Sequence, residues 1–561
     1  MAIKQISDAS RLDVVLNKPW HLFGIFFCAF VLLVITMNML ITYYDEGLIL
    51  FGAVRILSGD VPYRDFYANY GLAQFYIVAA LFKIFGVSVI VERSWDLLIR
   101  SSTVLMIYMI ISYAWSRKTA LFTAFAAVIW LTGFGVYGYP VFPCLFFSLL
   151  SLYFALPVFR RWQEIKFSLA SGACIGVVLL FRYDIGILAA AGGLLTFGCF
   201  YFTQEDDARL KMKTFLRSMV TYVCGIVLVS VPVLLLLLSK VSLHEILRNL
   251  VYLQASTYVH FRSLPFPSLA DVGEAPPLLT VYLPILGVLM GAIMIFLSRR
   301  QKLGTDTEDR QEGILRRQWI LIQLCVLSVL FFLKGFIRVD MIHMSLSIVP
   351  AVMLLCVIVE QWRQIRYRTA MVLLWLAFAC FMFVSLIPIG LAGIRFANNV
   401  AWAKSNISAP DGVGSCNLRC GMERMRCFTL NQNWYDAINY IQQRTKKNEY
   451  IYVGTKRHDK IVQNDILFYF AACRLSATKW HQFDPGIQTT KDIQSEIISE
   501  LRIRHPRYIM LNSEWDNVHE PNESALSSGV TLLDDFLKAN YRVVATFGSM
   551  EISELATNLT P

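Results

Sequence analysis

The sequence predicts a polytopic α-helical membrane protein of about 11 transmembrane helices carrying a small extracytoplasmic α/β C-terminal domain. Three observations predict it: the composition, a series of long apolar runs, and a change of pattern near residue 393. Of the 561 residues, 56% are hydrophobic and 16% charged, whereas soluble globular chains have roughly 45–50% and about 25%. This excludes a disordered chain and a wholly soluble enzyme. The twelve cysteines are too dilute for a disulfide-built scaffold.

A bilayer core of about 30 Å is crossed by about 20 apolar helical residues. Such runs fall at 20–42, 87–114, 119–135, 140–158, 167–184, 185–202, 215–239, 279–298, 318–334, 344–360 and 369–392. The stretch 72–86 is shorter and polar-tipped, and reads as a re-entrant or interfacial helix. The first run has no small-x-small cleavage site and reads as an uncleaved anchor. No internal repeat or low-complexity tract is visible.

The net charge of +11 is a topology signal. With the N-terminus placed in the cytoplasm and sides alternated, the inner segments hold 21 basic and 11 acidic residues. Positive loops remain inside, so the excess is no footprint of nucleic acid. The same alternation puts the tail outside the cytoplasm, in a bacterial inner membrane the periplasm. The expected division is 1–392 in the membrane and 393–561 outside.

The tail alternates helix-like segments (433–446, 463–473, 489–504, 529–540) with strand-like ones (450–453, 507–511, 541–547), the pattern of a small α/β domain. Cys416, Cys420 and Cys427 fall just after the last span, where a disulfide among them is an even choice and a zinc site lacks a fourth ligand at standard spacing. Asn406, Asn522 and Asn558 begin glycosylation triplets, relevant only in a eukaryotic host.

Ionisable groups near a span are costly and mark function by default. Here they gather on the outer side. Tyr43-Tyr44-Asp45-Glu46-Gly47 ends the first span, and the loop continues to Arg64-Asp65. Arg182-Tyr183-Asp184 ends the fifth span. Lys334 through Arg338-Val339-Asp340 to His343 ends the ninth. Each has a plain alternative: Asp45 and Glu46 as helix caps, Arg64–Asp65 and Arg182–Asp184 as loop ion pairs, Lys334 and Arg338 reaching to headgroups. Glu92, Arg93, Asp96 and Arg100 are expected to neutralise one another along one helix. Asp340 and His343 share a face if their segment is helical. Convergence of three loops favours transfer from a lipid phosphate. A cation holds the phosphate, and a carboxylate takes the acceptor proton. No phosphate-binding Gly-rich loop or dinucleotide fingerprint is present.

The chain resembles the GT-C superfamily of integral-membrane glycosyltransferases, in particular aminoarabinose-transferase-like and mannosyltransferase-like enzymes. The resemblance rests on Asp45-Glu46-Gly47, on Gly52 through Arg55, Gly59 and Pro62 to Asp65-Phe66, on Tyr70-Gly71-x-x-Gln74-Phe-Tyr76, and on Arg338-Val-Asp340-Met-Ile-His343. It departs at Leu72-Ala73, where such chains are expected to carry a Pro-Gly pair. The resemblance implies Asp45 as catalytic base with Glu46 second, and donor-phosphate binding by Arg338, with Lys334 and His343. Arg64, Asp65, Arg182, Asp184 and Asp340 are the expected substrate-orienting set. It implies an inverting transfer from a polyprenyl-phosphate sugar donor to a glycan, lipid or protein acceptor among membrane lipids. A divalent metal is left open. The rival readings are a flippase or transporter of lipid-linked sugars, an oligosaccharide ligase or polymerase, and a binding or scaffold protein anchored by its spans.

Overall fold

The computed structural model describes residues 19–156, 165–203, 208–302, 308–361, 368–407, 424–425, 428 and 430–556. Cys416, Cys420 and Cys427 lie outside them. Every predicted span forms helix: Pro19–Ile35, Val89–Ala114, Arg117–Gly133, Val141–Ala155, Ile165–Phe181, Tyr183–Thr203, Ala208–Leu238, Leu283–Lys302, Glu308–Gly335, Ser345–Gln361 and Arg368–Val384. Val89–Ala114, Met212–Leu238, Pro276–Ser298, Gly313–Gly335 and Thr369–Lys404 are long and apolar enough to cross a membrane, and six more apolar helices are shorter. The protein is an integral membrane protein.

Two span boundaries are corrected. The first helix stops at Ile35, seven residues short of the predicted end, and Thr36 turns its hydroxyl back onto the Leu32 carbonyl at 2.5 Å. The last span breaks at Ser385, and a second helix, Leu386–Ile407, runs on past 392. Pro388 supplies no backbone N–H to the first turn of that second helix. Ser385 accepts a 3.2 Å hydrogen bond from the Trp130 indole.

Helix Ala208–Leu238 lies against Ile165–Phe181 at backbone contact. A side chain at Gly172 would strike the Tyr222 carbonyl, one at Gly176 the Ile226 carbonyl, and one at Gly225 the Leu169 carbonyl. Small residues four apart permit this approach where lipid offers no hydrophobic drive between helices. In Val89–Ala114 the expected self-neutralisation is only half realised. Arg100 pairs with Asp96 at 2.7 Å, but Arg93 turns to Glu46 at 2.6 and 2.8 Å.

The C-terminal region forms one five-stranded sheet in the order β2-β1-β3-β5-β4. Its strands are β1 (Tyr450–Thr455), β2 (Leu475–Ser476), β3 (Tyr508–Asn512), β4 (Tyr541–Phe547) and β5 (Met550–Leu555). β1 is parallel to both β2 and β3, while β5 is antiparallel to β3 and β4. The four predicted helices appear as Gln432–Arg444, Ile466–Ala472, Lys491–Arg504 and Leu532–Asn540. Unpredicted β5 follows a tight Gly548-Ser549 turn with Gly548 at φ 61°, where glycine carries no steric penalty.

This domain sits directly on the loop that follows the first helix, whose own helices are Asp45–Leu57 and Leu72–Phe85. The Leu467 N–H donates to the Tyr43 carbonyl at 3.0 Å, and the Tyr67 N–H to the Lys479 carbonyl at 3.0 Å. Phe51 stacks on Tyr469 at 4.8 Å, and Arg55 donates to the Thr478 carbonyl at 3.0 Å.

Candidate active site

Between these layers lies a cavity of about 510 Å³. The loop after the first helix contributes Tyr44, Asp45, Asn69 and Tyr70 to its wall. Later loops add Arg182, Asp184, Gln254, Arg262, Lys334, Arg338 and His343, and the C-terminal domain adds Gln463, Asp484 and Glu520.

Asp45 opens the helix Asp45–Leu57, where the positive end of the helix dipole favours an anion. Among the described residues its carboxylate makes no hydrogen bond or ion pair. Burial raises its pKa above the ordinary carboxylate value, against the opposing pull of His343, Arg262 and Arg338. The next residue faces elsewhere. Glu46 is fully buried and clamped by Arg93, and its own N–H donates to the Thr42 hydroxyl at 3.0 Å. It does not line the cavity.

Lys334 ends the helix Glu308–Gly335 and lines the cavity. Among the described residues it makes no hydrogen bond or ion pair. Arg338 differs. Its Nη1 and Nη2 donate to the two Glu520 oxygens at 2.9 and 2.6 Å, and Nη1 also to the Arg262 carbonyl at 3.0 Å. Burial opposes both charges, yet this pairing holds Arg338 above and Glu520 below their ordinary pKa values.

Asp340 sits behind His343. One of its oxygens accepts the Ile342 and His343 N–H groups at 2.9 and 2.8 Å, while the other lies 2.7 Å from His343 Nδ1. Burial works against the Asp340 charge, but the histidine and these bonds hold its pKa at about 2. A carboxylate on Nδ1 fixes the imidazole orientation and leaves Nε2 for the cavity.

Arg182 and Asp184 form a two-bond pair at 3.0 and 2.7 Å, with the guanidinium 4.9 Å from the Tyr70 ring centre. Both line the cavity. Arg64 and Asp65 do not. Asp65 accepts the Val61 N–H at 2.7 Å and pairs with an exposed Arg64 at 2.7 Å, closing the turn that leads to Tyr67. The structure therefore brings Asp45, Arg182, Asp184, Lys334, Arg338 and His343 to one cavity, with Asp340 just behind, and leaves Glu46, Arg64 and Asp65 outside it.

Two charged wall residues, Arg262 and Asp484, carry no signal in the sequence, and a third, Glu520, carries one without a role. Asp484 accepts from Tyr44 at 2.7 Å, Arg262 at 2.9 Å, Gln482 at 2.8 Å and Tyr67 at 3.1 Å. Glu520 stands in a Glu-Pro-Asn segment distinctive enough to notice, but nothing local indicates what it faces. Among the described residues no group of three or more His, Cys, Asp and Glu side chains is placed to hold a metal. No step below uses one.

No protein-family model matches the sequence, and no curated protein matches it significantly. Solved structures do resemble it. ArnT from Cupriavidus metallidurans bound to undecaprenyl phosphate aligns with TM-score 0.52 at 13% identity, over 97% of this chain and 99% of that one. The Archaeoglobus fulgidus oligosaccharyltransferase in its apo form aligns with TM-score 0.51 at 12% identity, over 96% and 75%. The same enzyme tethered with an acceptor peptide gives 0.50 at 11% identity, over 96% and 74%. Over nearly its whole length, therefore, this chain has the fold of these solved membrane enzymes, the GT-C glycosyltransferase fold.

Proposed function

We propose that the protein is an inverting glycosyltransferase. It moves a sugar from a polyprenyl-phosphate donor to an extracytoplasmic glycan, lipid or protein acceptor. The observation that carries this reading is that Asp45, a carboxylate without a partner among the described residues, and Lys334, a cation without one, line the same cavity. General-base transfer from a phosphate ester needs one of each.

In this mechanism Asp45 takes the proton of the acceptor hydroxyl as its oxygen attacks the anomeric carbon. The bond from that carbon to the phosphate oxygen breaks, and its electron pair leaves with the lipid phosphate. Lys334 stabilises the departing charge, a task for preorganised cations in a water-poor site. His343, held by Asp340, donates from Nε2 to the same phosphate when protonated. Arg182, paired with Asp184, orients the sugar. Lys334 takes the leading phosphate role that the sequence suggested for Arg338, because both terminal guanidinium nitrogens of Arg338 are already engaged. Glu46, Arg64 and Asp65 act through the scaffold.

The catalytic unit spans 1–392, with 393–561 as an outer domain that closes the cavity. With basic loops in the cytoplasm, the cavity faces the periplasm of a bacterial inner membrane. The test incubates purified protein in lipid with radiolabelled polyprenyl-phosphate sugars and membrane extract. Label moves to an acceptor with wild type and not with Asp45→Asn or Lys334→Gln. Label that crosses sealed vesicles without transfer makes the protein a flippase and ends this reading.

A further inference from the structure

Resting on that reading, we propose that Glu520, from the C-terminal domain, sets the headgroup charge the cavity accepts, so that a lipid monophosphate is selected over a diphosphate. The argument is a charge balance. Three guanidinium groups on the cavity wall meet carboxylates: Arg182 with Asp184 at 2.7 Å, Arg262 with Asp484 at 2.9 Å, and Arg338 with Glu520 at 2.6 Å. A protonated His343 is balanced in the same way by Asp340, 2.7 Å from its Nδ1, so the charges left over among the described wall residues are Lys334 and Asp45. Once Asp45 is reserved for the acceptor proton, one positive charge faces the donor. A sugar phosphodiester carries one negative charge and matches it. A diphosphate diester carries two, and the second stays unneutralised in a site where charges interact strongly.

Glu520 is built into this position. Asn522 donates to its Oε2 at 3.0 Å and to the Ser263 carbonyl at 2.9 Å, which ties the segment to the loop carrying Arg262. The Leu264 N–H in turn donates to the Ile337 carbonyl at 3.0 Å, beside Arg338. Two loops of the membrane unit and one of the outer domain are thus locked around a single ion pair. Glu520 acts on the donor through Arg338 and is a specificity-determining residue, not a catalytic one.

The experiment measures displacement of a radiolabelled polyprenyl-phosphate sugar, the monoanionic diester, from the full chain in nanodiscs. The competitors are the unlabelled polyprenyl-phosphate sugar and the dianionic polyprenyl-diphosphate sugar with the same lipid chain and the same sugar. A charge-assisted contact is worth about tenfold or more in affinity, so wild type prefers the monophosphate by about that factor. Glu520→Gln keeps the side-chain shape and frees the Arg338 charge, and the preference falls to within about threefold. The double variant Arg338→Gln with Glu520→Gln removes both charges and restores it. Should the single variant not fold, Arg338→Gln decides: it leaves the Glu520 charge unpaired and widens the preference for the monophosphate, and an unchanged ratio there overturns the inference. A wild-type preference for diphosphate, or an unchanged ratio in Glu520→Gln, overturns the inference and leaves the donor reading standing. No binding of either lipid to wild type overturns both.

Discussion

The Tyr44 hydroxyl donates a 2.7 Å hydrogen bond to Oδ1 of Asp484, a residue 440 positions further along the chain. Tyr44 immediately precedes Asp45 and begins the turn into the helix Asp45–Leu57. Burial, and then the Asp484 charge, raise the Tyr44 pKa well above its ordinary value, so the phenol stays a donor. Asp484 also holds Arg262 and Tyr67. One carboxylate of the C-terminal domain therefore fixes three stretches of chain around the proposed base.

Asp484→Ala removes the acceptor shared by these donors and leaves the Arg262 charge without its carboxylate. Breaking a buried pair from one side costs about 3–5 kcal/mol. The expected result is a lower thermal unfolding temperature in detergent and reduced transfer by the molecules that remain folded. Unfolding at the wild-type temperature would show that Asp484 does not hold the domains together.

Asp45→Asn separates chemistry from stability. Loss of a general base lowers the turnover rate by about 10²–10⁴-fold, while donor binding persists. The raised Asp45 pKa means that the ionised carboxylate opposes folding. Its contribution to stability is full below the unfolded pKa and lost as pH rises through the higher folded value. At neutral pH the neutral asparagine should match or exceed wild type in unfolding temperature. A marked fall in stability would give Asp45 a structural role.

The pH–rate profile should show its acid limb above the ordinary carboxylate pKa of about 4, because Asp45 must ionise to accept a proton. Glu520 and Asp340 behave oppositely. Their folded pKa values are lowered, Asp340 to about 2. The stability they add is present above the unfolded value and is lost only as pH falls through the folded one. Rate should therefore drop in mild acid while the fold persists, as activity and circular dichroism on the same samples will show. An acid limb below pH 4 would exclude Asp45 as the base.

Gly47→Ala tests the seating of the C-terminal domain. A Cβ there would stand 2.5 Å from the Leu467 backbone nitrogen and 3.0 Å from its Cα, and backbone cannot move aside as a flexible side chain can. Overpacking of this kind costs about 1–3 kcal/mol. Gly24→Ala, with nothing within 4 Å, is the control. In a helix it should be neutral, or stabilising by about 0.5–1 kcal/mol. Equal unfolding temperatures for the two variants would mean that the domain does not press on Gly47.

Glu46→Gln weakens a pair whose side chains are both 0% exposed. It should lower stability while leaving the pH dependence of the surviving activity unchanged. A shifted acid limb would return Glu46 to the reaction.

Much of this molecule was legible locally. Apolar runs declare spans because a bilayer core must be crossed by about 20 apolar helical residues, and each predicted run forms a helix, the first of them stopping at Ile35. Gly548-Ser549 also carries the turn signal of the hairpin that adds β5. Partner choice was not legible in the same way. Spacing suggested that Arg93 would pair along its own helix, yet it reaches Glu46. Arg338 has the side chain expected of a phosphate ligand, yet Glu520 already holds it.

The chain's own order of residues determined that this protein lies in a membrane, that it is built of many apolar helices, that an α/β domain follows, and which loops carry charge. Those features rest on composition and on periods of a few residues. Tertiary structure decided which charges cancel and which remain. Asp484 reaches Tyr44 across 440 positions and Glu520 reaches Arg338 across 182, and no local pattern encodes contacts at that separation. Only folding leaves Asp45 and Lys334 without partners among the described residues, because a charge becomes available for chemistry when every neighbour that could neutralise it has been placed elsewhere.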